Sequence, residues 1–226
     1  VIEPGWQVAV IAKEPVPGAV KTRLCPPLLP GQAATLALAA LLDTLAAVAT
    51  SPARRRVLVL EGRPGDWLPE GFEVVPQRTG DFGSRLQGAV DDTLAGWEAP
   101  VLVVGMDTPQ LTPAHLERAA EALGRAETVL GPADDGGYWV IGTRCSVPGL
   151  FAGVPMSTAG TAAAQLARLD ALGLDCALAD ALRDVDRFDD AVAVAADAPF
   201  TRFAAALASF GLPVAPARAT TGAGRD

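Results

Sequence analysis

The sequence is poor in the side chains on which much hydrolytic and metal chemistry depends. His115 is the one histidine in 226 residues, which argues against a Ser-His-Asp hydrolase and a histidine-rich zinc site. The three cysteines, Cys25, Cys145 and Cys176, are odd in number and widely spaced. They show no metal-site spacing and suit a reducing compartment. Cations are outnumbered, 18 Lys and Arg against 26 Asp and Glu, for a net charge of −8 and a pI near 4.7. The broad basic face that a nucleic-acid partner requires is therefore lacking. Apolar runs fall short of the roughly 18 residues of a membrane span, and no charged segment leads into an apolar one as in a secretory signal. These absences predict a cytoplasmic protein with neither membrane nor nucleic acid as partner. Glycine fingerprints are missing too. There is no GxGxxG, and around Lys21-Thr22 the two P-loop glycine positions hold Pro15 and Val20, so the usual dinucleotide and P-loop readings fail.

What is present is a foldable core. Half of the residues are apolar and 19% are charged, which excludes a disordered chain, and one α/β domain commonly reaches this length. Strand-like runs recur at Gln7–Ala12, Arg56–Leu60, Phe72–Val75, Pro100–Gly105, Thr128–Gly131 and Tyr138–Gly142, with a short one at Leu174–Leu178. Several are continuous Val/Leu/Ile runs, as in strands covered on both faces. Helical patterns fill the gaps at Gln32–Ala49, Arg85–Trp97, from Thr112 as N-cap to Leu123, and at Ser157–Leu172, Asp189–Ala196 and Pro199–Phe210. Alternation of the two predicts a three-layer α/β/α sandwich around a mostly parallel sheet. Residues 1–212 are expected to form one domain, and 213–226, without periodicity, a flexible tail.

The rest is organised around Val8–Leu24. An apolar run passes straight into a loop in which Pro15 and Pro17 forbid a helix interior and Gly18 permits positive φ or close approach. Lys13, Lys21 and Arg23 stand against Glu14 alone, a local +2 in an acidic protein. Ligands of α/β proteins bind outside the carboxyl ends of strands, so an anion, most simply a phosphate, is the preferred ligand; a solvated surface loop is the bland alternative.

Other segments supply complementary groups. Val101–Leu111 places Asp107 just past a strand tip, where a carboxylate serves either as magnesium ligand or as turn cap; Thr108 offers a hydroxyl to a ligand or to the turn. Gly131–Gly142 carries Asp134 and Asp135 before Gly136 and Gly137. The glycines allow a sugar or base to lie on bare backbone, whereas Asp-Gly is also a hairpin turn. Tyr138 and Trp139 alternate, so that one faces the core and the other the crevice. In Gln77–Leu86, Gly80 and Gly83 lead into a helix whose amino end is a ready anion site. Arg85 in its first turn opposes the helix dipole unless an anion is near. The same argument covers Ser157, Thr158 and Thr161. Asp186, in Asp184–Asp190, is the candidate second metal ligand, with a structural turn as the alternative. His115 reads as a surface residue.

Taken in order, AKEPVPGAVKTRL, GDFGSRL, GMDTPQL, GPADDGGYWVIG, the MST segment and DVD resemble the bacterial DUF2064 group, also called the selenodomain-associated transferase 1 type of glycosyltransferase-like proteins. That group sits in the nucleotide-diphospho-sugar transferase superfamily. The resemblance covers about residues 7–200 and implies a GT-A-like fold, shared with molybdopterin cytidylyl- and guanylyltransferases and phospholactate guanylyltransferases. It implies that Lys21 and Arg23 bind phosphate, that Asp107 holds magnesium or manganese with Asp186 as second ligand, and that Asp135, Gly136 and Gly137 border the acceptor pocket. Met156 stands where family members often carry Trp.

The expected activity is metal-dependent nucleotidyl transfer from a nucleoside triphosphate to a small phosphorylated or oxyanion acceptor, by a monomer or homodimer, catalysed by positioning and electrostatics. Lys13, Gly18, Arg85, Thr108, Ser157 and Thr158 are expected to join in binding substrate. Alternatives are a nucleotide-independent transferase using a phosphoenolpyruvate-like acid, and a sugar-nucleotide-dependent glycosyltransferase. Against the last, the strand-end segment reads Asp107-Thr108-Pro109 rather than Asp-x-Asp. A non-catalytic sensor keeping the fold would be expected to have lost the cations and carboxylates that this chain retains.

Overall fold

In the computed structural model, residues 5–212 are described; the expected tail at 213–226 lies outside them. Seven strands, β1 (Gln7–Lys13), β2 (Arg55–Glu61), β3 (Glu73–Pro76), β4 (Val101–Val104), β5 (Thr128–Pro132), β6 (Tyr138–Thr143) and β7 (Cys176–Leu178), form one sheet. Its order is β3-β2-β1-β4-β6-β5-β7. β6 alone runs against its neighbours, returning from β5 through the Asp134–Gly137 turn; the other pairings are parallel.

Alternation along β1 explains the layers. Val8, Val10 and Ala12 pack on one face with Leu58, Leu60, Leu102 and Val104, under α1 (Pro30–Thr50) and α3 (Pro113–Arg125). Ala9 and Ile11 join Val57, Val59, Val101 and Val103 on the other face, under α2 (Phe82–Gly96) and α4 (Thr161–Ala171). Successive strand residues point to opposite faces, so a run without polar residues is what a doubly covered strand needs.

A third cluster lies on the outer side of α1. Leu24, Leu36, Val185 and Phe203 are buried there with residues of α5 (Phe188–Asp197) and α6 (Arg202–Ser209). α1 is, contrary to expectation, long and apolar enough to cross a membrane by length and composition. Its residues are instead shared between two cores, and its one charged residue, Asp43, accepts hydrogen bonds from the N–H groups of Arg202 and Phe203 at 3.1 and 2.8 Å. Those are orphan donors of the first turn of α6, whose satisfaction holds that helix to α1.

Helix starts differ from expectation by three or more residues at three places, one of them α6, which begins at Arg202 rather than Pro199 with Thr201 as N-cap. α2 starts at Phe82, with Asp81 as N-cap accepting from the Ser84 N–H at 2.7 Å. α4 starts at Thr161 rather than Ser157, whose φ of +58° is left-handed. Gly173 follows α4 at φ +71°, as a C′ glycine should.

Candidate functional site

The sheet places the crevice by topology. β1 is followed in space by β2 on one side and β4 on the other, so connections leave the carboxyl ends of β1 and β4 in opposite directions and open a gap there. The loops after these two strands hold Lys21 and Asp107. Lys21 Nζ lies 2.8 Å from Asp107 Oδ1 and also donates to the Val185 carbonyl.

Buried anchors aim the charged groups. Leu24 is fully buried and Val20 nearly so, fixing the 3-10 turn Thr22–Leu24 between them so that Arg23 projects into the crevice. Val185 is also fully buried, and its N–H donates to the Asp107 carbonyl at 2.9 Å. An extended Asp-Val-Asp with its middle residue buried turns both carboxylates toward the other face. Asp186 accepts from Arg23 Nη1 with both oxygens at 3.0 Å. Asp184 was missed at the sequence level, although polar-apolar-polar alternation was its signal.

Two cavities adjoin here. The first, of about 310 Å³, runs from the end of β1 past Lys13, Lys21, Arg23 and Arg85 to Asp107. The second, of about 260 Å³, lies between Asp107, Thr108, Asp135, Tyr138 and Met156. Arg23, Phe82, Gly105, Asp107 and Asp186 belong to both walls.

Several expected residues make contacts within the protein. Lys13 Nζ pairs with Glu61 at 3.2 Å, and Arg85 Nη1 donates to Glu61 and, at 3.2 Å, to Gln77. The anion that offsets Arg85 against its helix dipole is thus Glu61. The anion site at the amino end of α2 is partly filled by the chain's own Asp81. Gly18 has φ +78° with open space around it. Gly136 (φ +88°) is required by packing, since a Cβ there would lie 2.0 Å from the Ala159 carbonyl oxygen. Asp135 Oδ1 accepts the Gly137 N–H at 2.7 Å, the turn role weighed for one of the two acids, and Asp134 pairs with Arg183 at 3.1 Å. Ser157 and Thr158 border the second cavity, but the amino end of α4 is closed on itself. Thr158 N–H donates to Thr161 Oγ1 at 3.0 Å, Gly160 N–H to Thr158 Oγ1 at 3.3 Å and Ala162 N–H to the Gly136 carbonyl at 2.9 Å. Trp139 is buried and donates to the Asp180 carbonyl at 2.8 Å; contrary to the expected division, both Tyr138 and Trp139 line the second cavity. His115 is half-buried rather than a plain surface residue: its Nδ1 receives the Thr112 N–H at 3.1 Å and its ring stands edge-on to Trp139.

Carboxylates crowd the junction of the cavities. Burial first, then the field of Asp135, pushes Asp184 up to about 6; Asp107 and Asp186 add to this and Lys21 opposes it. One Asp184 oxygen is buried without a hydrogen-bond partner. Among the described residues, no three Asp, Glu, His or Cys side chains are grouped to hold a metal unaided. Magnesium or manganese in such a site would be shared between one or two carboxylates and substrate phosphates. The orphaned oxygen and the facing acids fit such a cation.

Residues 35–158 match the family described as "Uncharacterized protein conserved in bacteria (DUF2064)". The chain belongs to the DUF2064 family. No curated protein matches it. Among solved structures, it is similar to a Desulfovibrio desulfuricans G20 protein provisionally described as a nucleotide-diphospho-sugar transferase (TM-score 0.83, 23% identity, covering 91% of this chain and 95% of that one). It is also similar to 2-C-methyl-D-erythritol 4-phosphate cytidylyltransferase from Thermus thermophilus (TM-score 0.54, 18% identity, 88% and 100% covered). A third likeness is to Rv0371c in complex with manganese from Mycobacterium tuberculosis H37Rv (TM-score 0.51, 19% identity, 84% and 97% covered). At these identities the likeness establishes the fold, which is the GT-A-like α/β sandwich; activity has to be argued from the site.

Proposed function

We propose that this DUF2064 chain is a metal-dependent transferase that moves a nucleotidyl group from a nucleoside triphosphate in the first cavity to an acceptor in the second. The observation that carries this is the convergence of Lys21 and Asp107, at 2.8 Å, where the two cavities meet. Asp107 and Asp186 would hold magnesium or manganese, which when bound neutralises phosphate oxygens. Lys21 and Arg23 are placed to stabilise charge growing on the departing pyrophosphate. The acceptor's lone pair forms a bond to the α-phosphorus, the bond to the β-phosphate oxygen breaks, and its electron pair leaves with pyrophosphate. The acceptor's proton passes to a neighbouring carboxylate or to water.

Glycosyl transfer from a sugar nucleotide is the second reading, favoured by one observation. Asp184-Val185-Asp186 is an Asp-x-Asp whose two carboxylates both line the second cavity, away from the strand-end segment where its absence counted against this activity. Both readings require a nucleotide phosphate beside Asp107.

The test is calorimetric titration of the full chain with the four nucleoside triphosphates, UDP-glucose and phosphoenolpyruvate, each with and without manganese. Binding of at least one triphosphate in a manganese-dependent manner is expected. Binding of UDP-glucose in its place selects the glycosyltransferase reading, and binding of phosphoenolpyruvate alone, or of nothing, overturns both.

A further inference from the structure

The two cavities differ sharply in charge. The first is lined by four cations, Lys13, Lys21, Arg23 and Arg85, against Asp107 and Asp186, with Glu61 shared by Lys13 and Arg85 as a third acid. The second reverses this balance, with Asp107, Asp135, Asp184 and Asp186 against Arg23 as the one cation among its lining residues; Asp107 and Asp186 would be committed to the metal, which leaves Asp135 and Asp184 to face an acceptor. Arg23 is already engaged by both oxygens of Asp186.

From this asymmetry we infer that the acceptor is not an anion: the second cavity takes a hydroxyl or amine carried on an apolar body. The inference rests on the transferase reading above and departs from the phosphorylated acceptor that the sequence suggests. Three features support it besides the carboxylates. The start of α4, where a phosphate would find backbone N–H donors, spends the N–H groups of Thr158, Gly160, Thr161 and Ala162 inside the protein. The Thr161 hydroxyl donates to the Pro155 or Thr158 carbonyl, each at 2.8 Å. Across the cavity stands an apolar wall of Phe82, 38% exposed, Tyr138 and Met156, with Met156 Sδ 3.9 Å from Tyr138 Oη. An anion entering here meets like charge with few donors to answer it, which is how a site rejects the wrong ligand. An ammonium or hydroxyl instead finds acceptor carboxylates in Asp135 and Asp184, which line the cavity. Phosphate is handled on one side of Asp107 and the nucleophile on the other. In the transfer step an ammonium first gives a proton to a nearby carboxylate or to water. The neutral amine or the hydroxyl then forms the bond to the α-phosphorus, the bond to the bridging oxygen breaks, pyrophosphate leaves with its electron pair, and the nucleophile's remaining acidic proton passes to a carboxylate or to water.

The chain carries its own reporters. Its two methionines are Met106, lining the first cavity, and Met156, lining the second. With ¹³C-methyl methionine, and Met106→Leu to assign the two signals, the full-length protein is titrated with 2-phenylethylamine, 2-phenylethanol and 2-phenylethyl phosphate. The amine and the alcohol are expected to shift the Met156 methyl, the amine at a concentration about tenfold below any at which the phosphate does so, because like-charge juxtaposition penalises the phosphate. Asp135→Asn combined with Asp184→Asn should close most of that gap. Movement of Met156 by the phosphate at concentrations at or below the amine's, or failure of both amine and alcohol to move it, overturns the inference. Titration with nucleoside triphosphate and manganese is read separately, at Met106. Silence there counts against the transferase reading and leaves the Met156 result intact.

Discussion

Lys21 and Asp107 belong to loops after different strands, yet the ammonium of one lies 2.8 Å from the carboxylate of the other. Lys21 is 11% exposed in its side chain and Asp107 41%. The cation is therefore the held partner, and the carboxylate keeps a face open to the cavities. The lysine supplies positive charge beside Asp107. In the proposed function the same ammonium would stand beside the phosphate of a bound nucleotide.

Replacing Asp107 should abolish transfer without unfolding the protein. Asp107→Ala is expected to cut turnover by at least about 10²- to 10³-fold, the scale on which removal of one preorganised electrostatic group is felt, with the far-UV spectrum retained. Metal-dependent nucleotide binding should weaken alongside. Full activity in Asp107→Ala would sink the proposed function.

Lys21 separates function from strain. Its φ of +49° is left-handed, a conformation that costs a residue with a Cβ about 1 kcal/mol and glycine almost nothing. Lys21→Gly should therefore be more stable than Lys21→Ala by about 1 kcal/mol, while both lose activity. Urea denaturation of the two variants checks the first claim and a turnover assay the second. Equal stability would mean that the loop relaxes when the ammonium is removed.

Asp43 is a buried carboxylate with a structural task. Asp43→Ala leaves the Arg202 and Phe203 N–H groups at the start of α6 without their acceptor, and should cost about 2 kcal/mol, at the upper end for loss of an N-terminal capping acceptor. Thermal unfolding should show the loss, and Asp43→Asn should recover part of it. Nucleotide binding should be unchanged, since Asp43 lies outside both cavities.

His115 makes a pH prediction. Burial, with Arg118 nearby, lowers its pKa below 6.5, and Asp180 opposes this only in part. A folded-state pKa below the unfolded one means that its neutral form is stabilised. The contribution is present above pH 6.5 and is lost as pH falls through the folded value. The stability of the wild type relative to His115→Gln should accordingly drop between pH 7 and pH 5, measured by denaturant titration at each pH. A flat or rising difference would show that the imidazole is not disfavoured as a cation.

Much of the fold was legible because burial on both faces of a strand and on one stripe of a helix leaves a periodic trace. Each expected strand and helix exists, with ends shifted by a few residues. Misreadings fell where a side chain competes with the backbone for hydrogen bonds. Asp81 caps α2 and starts it at Phe82 rather than at the expected Arg85, and the Thr158 N–H bonds Thr161 Oγ1 ahead of the expected run of α4. Arg85 was legible as a cation against its helix dipole, but the carboxylate answering it is Glu61, from β2. Asp184 escaped notice because its partners, Asp107 and Asp135, come from distant segments.

By itself the sequence determined the layered α/β architecture, the cationic loop after β1 and the carboxylate after β4, since these follow from local periodicity and from charges beside proline and glycine. Which charges meet was decided only by tertiary structure. The sheet order sets the β1 and β4 loops side by side, and burial of Leu24 and Val185 in a shared core points Arg23, Asp184 and Asp186 into the gap. Coulombic partnership depends on distance in space, and local sequence carries no record of it.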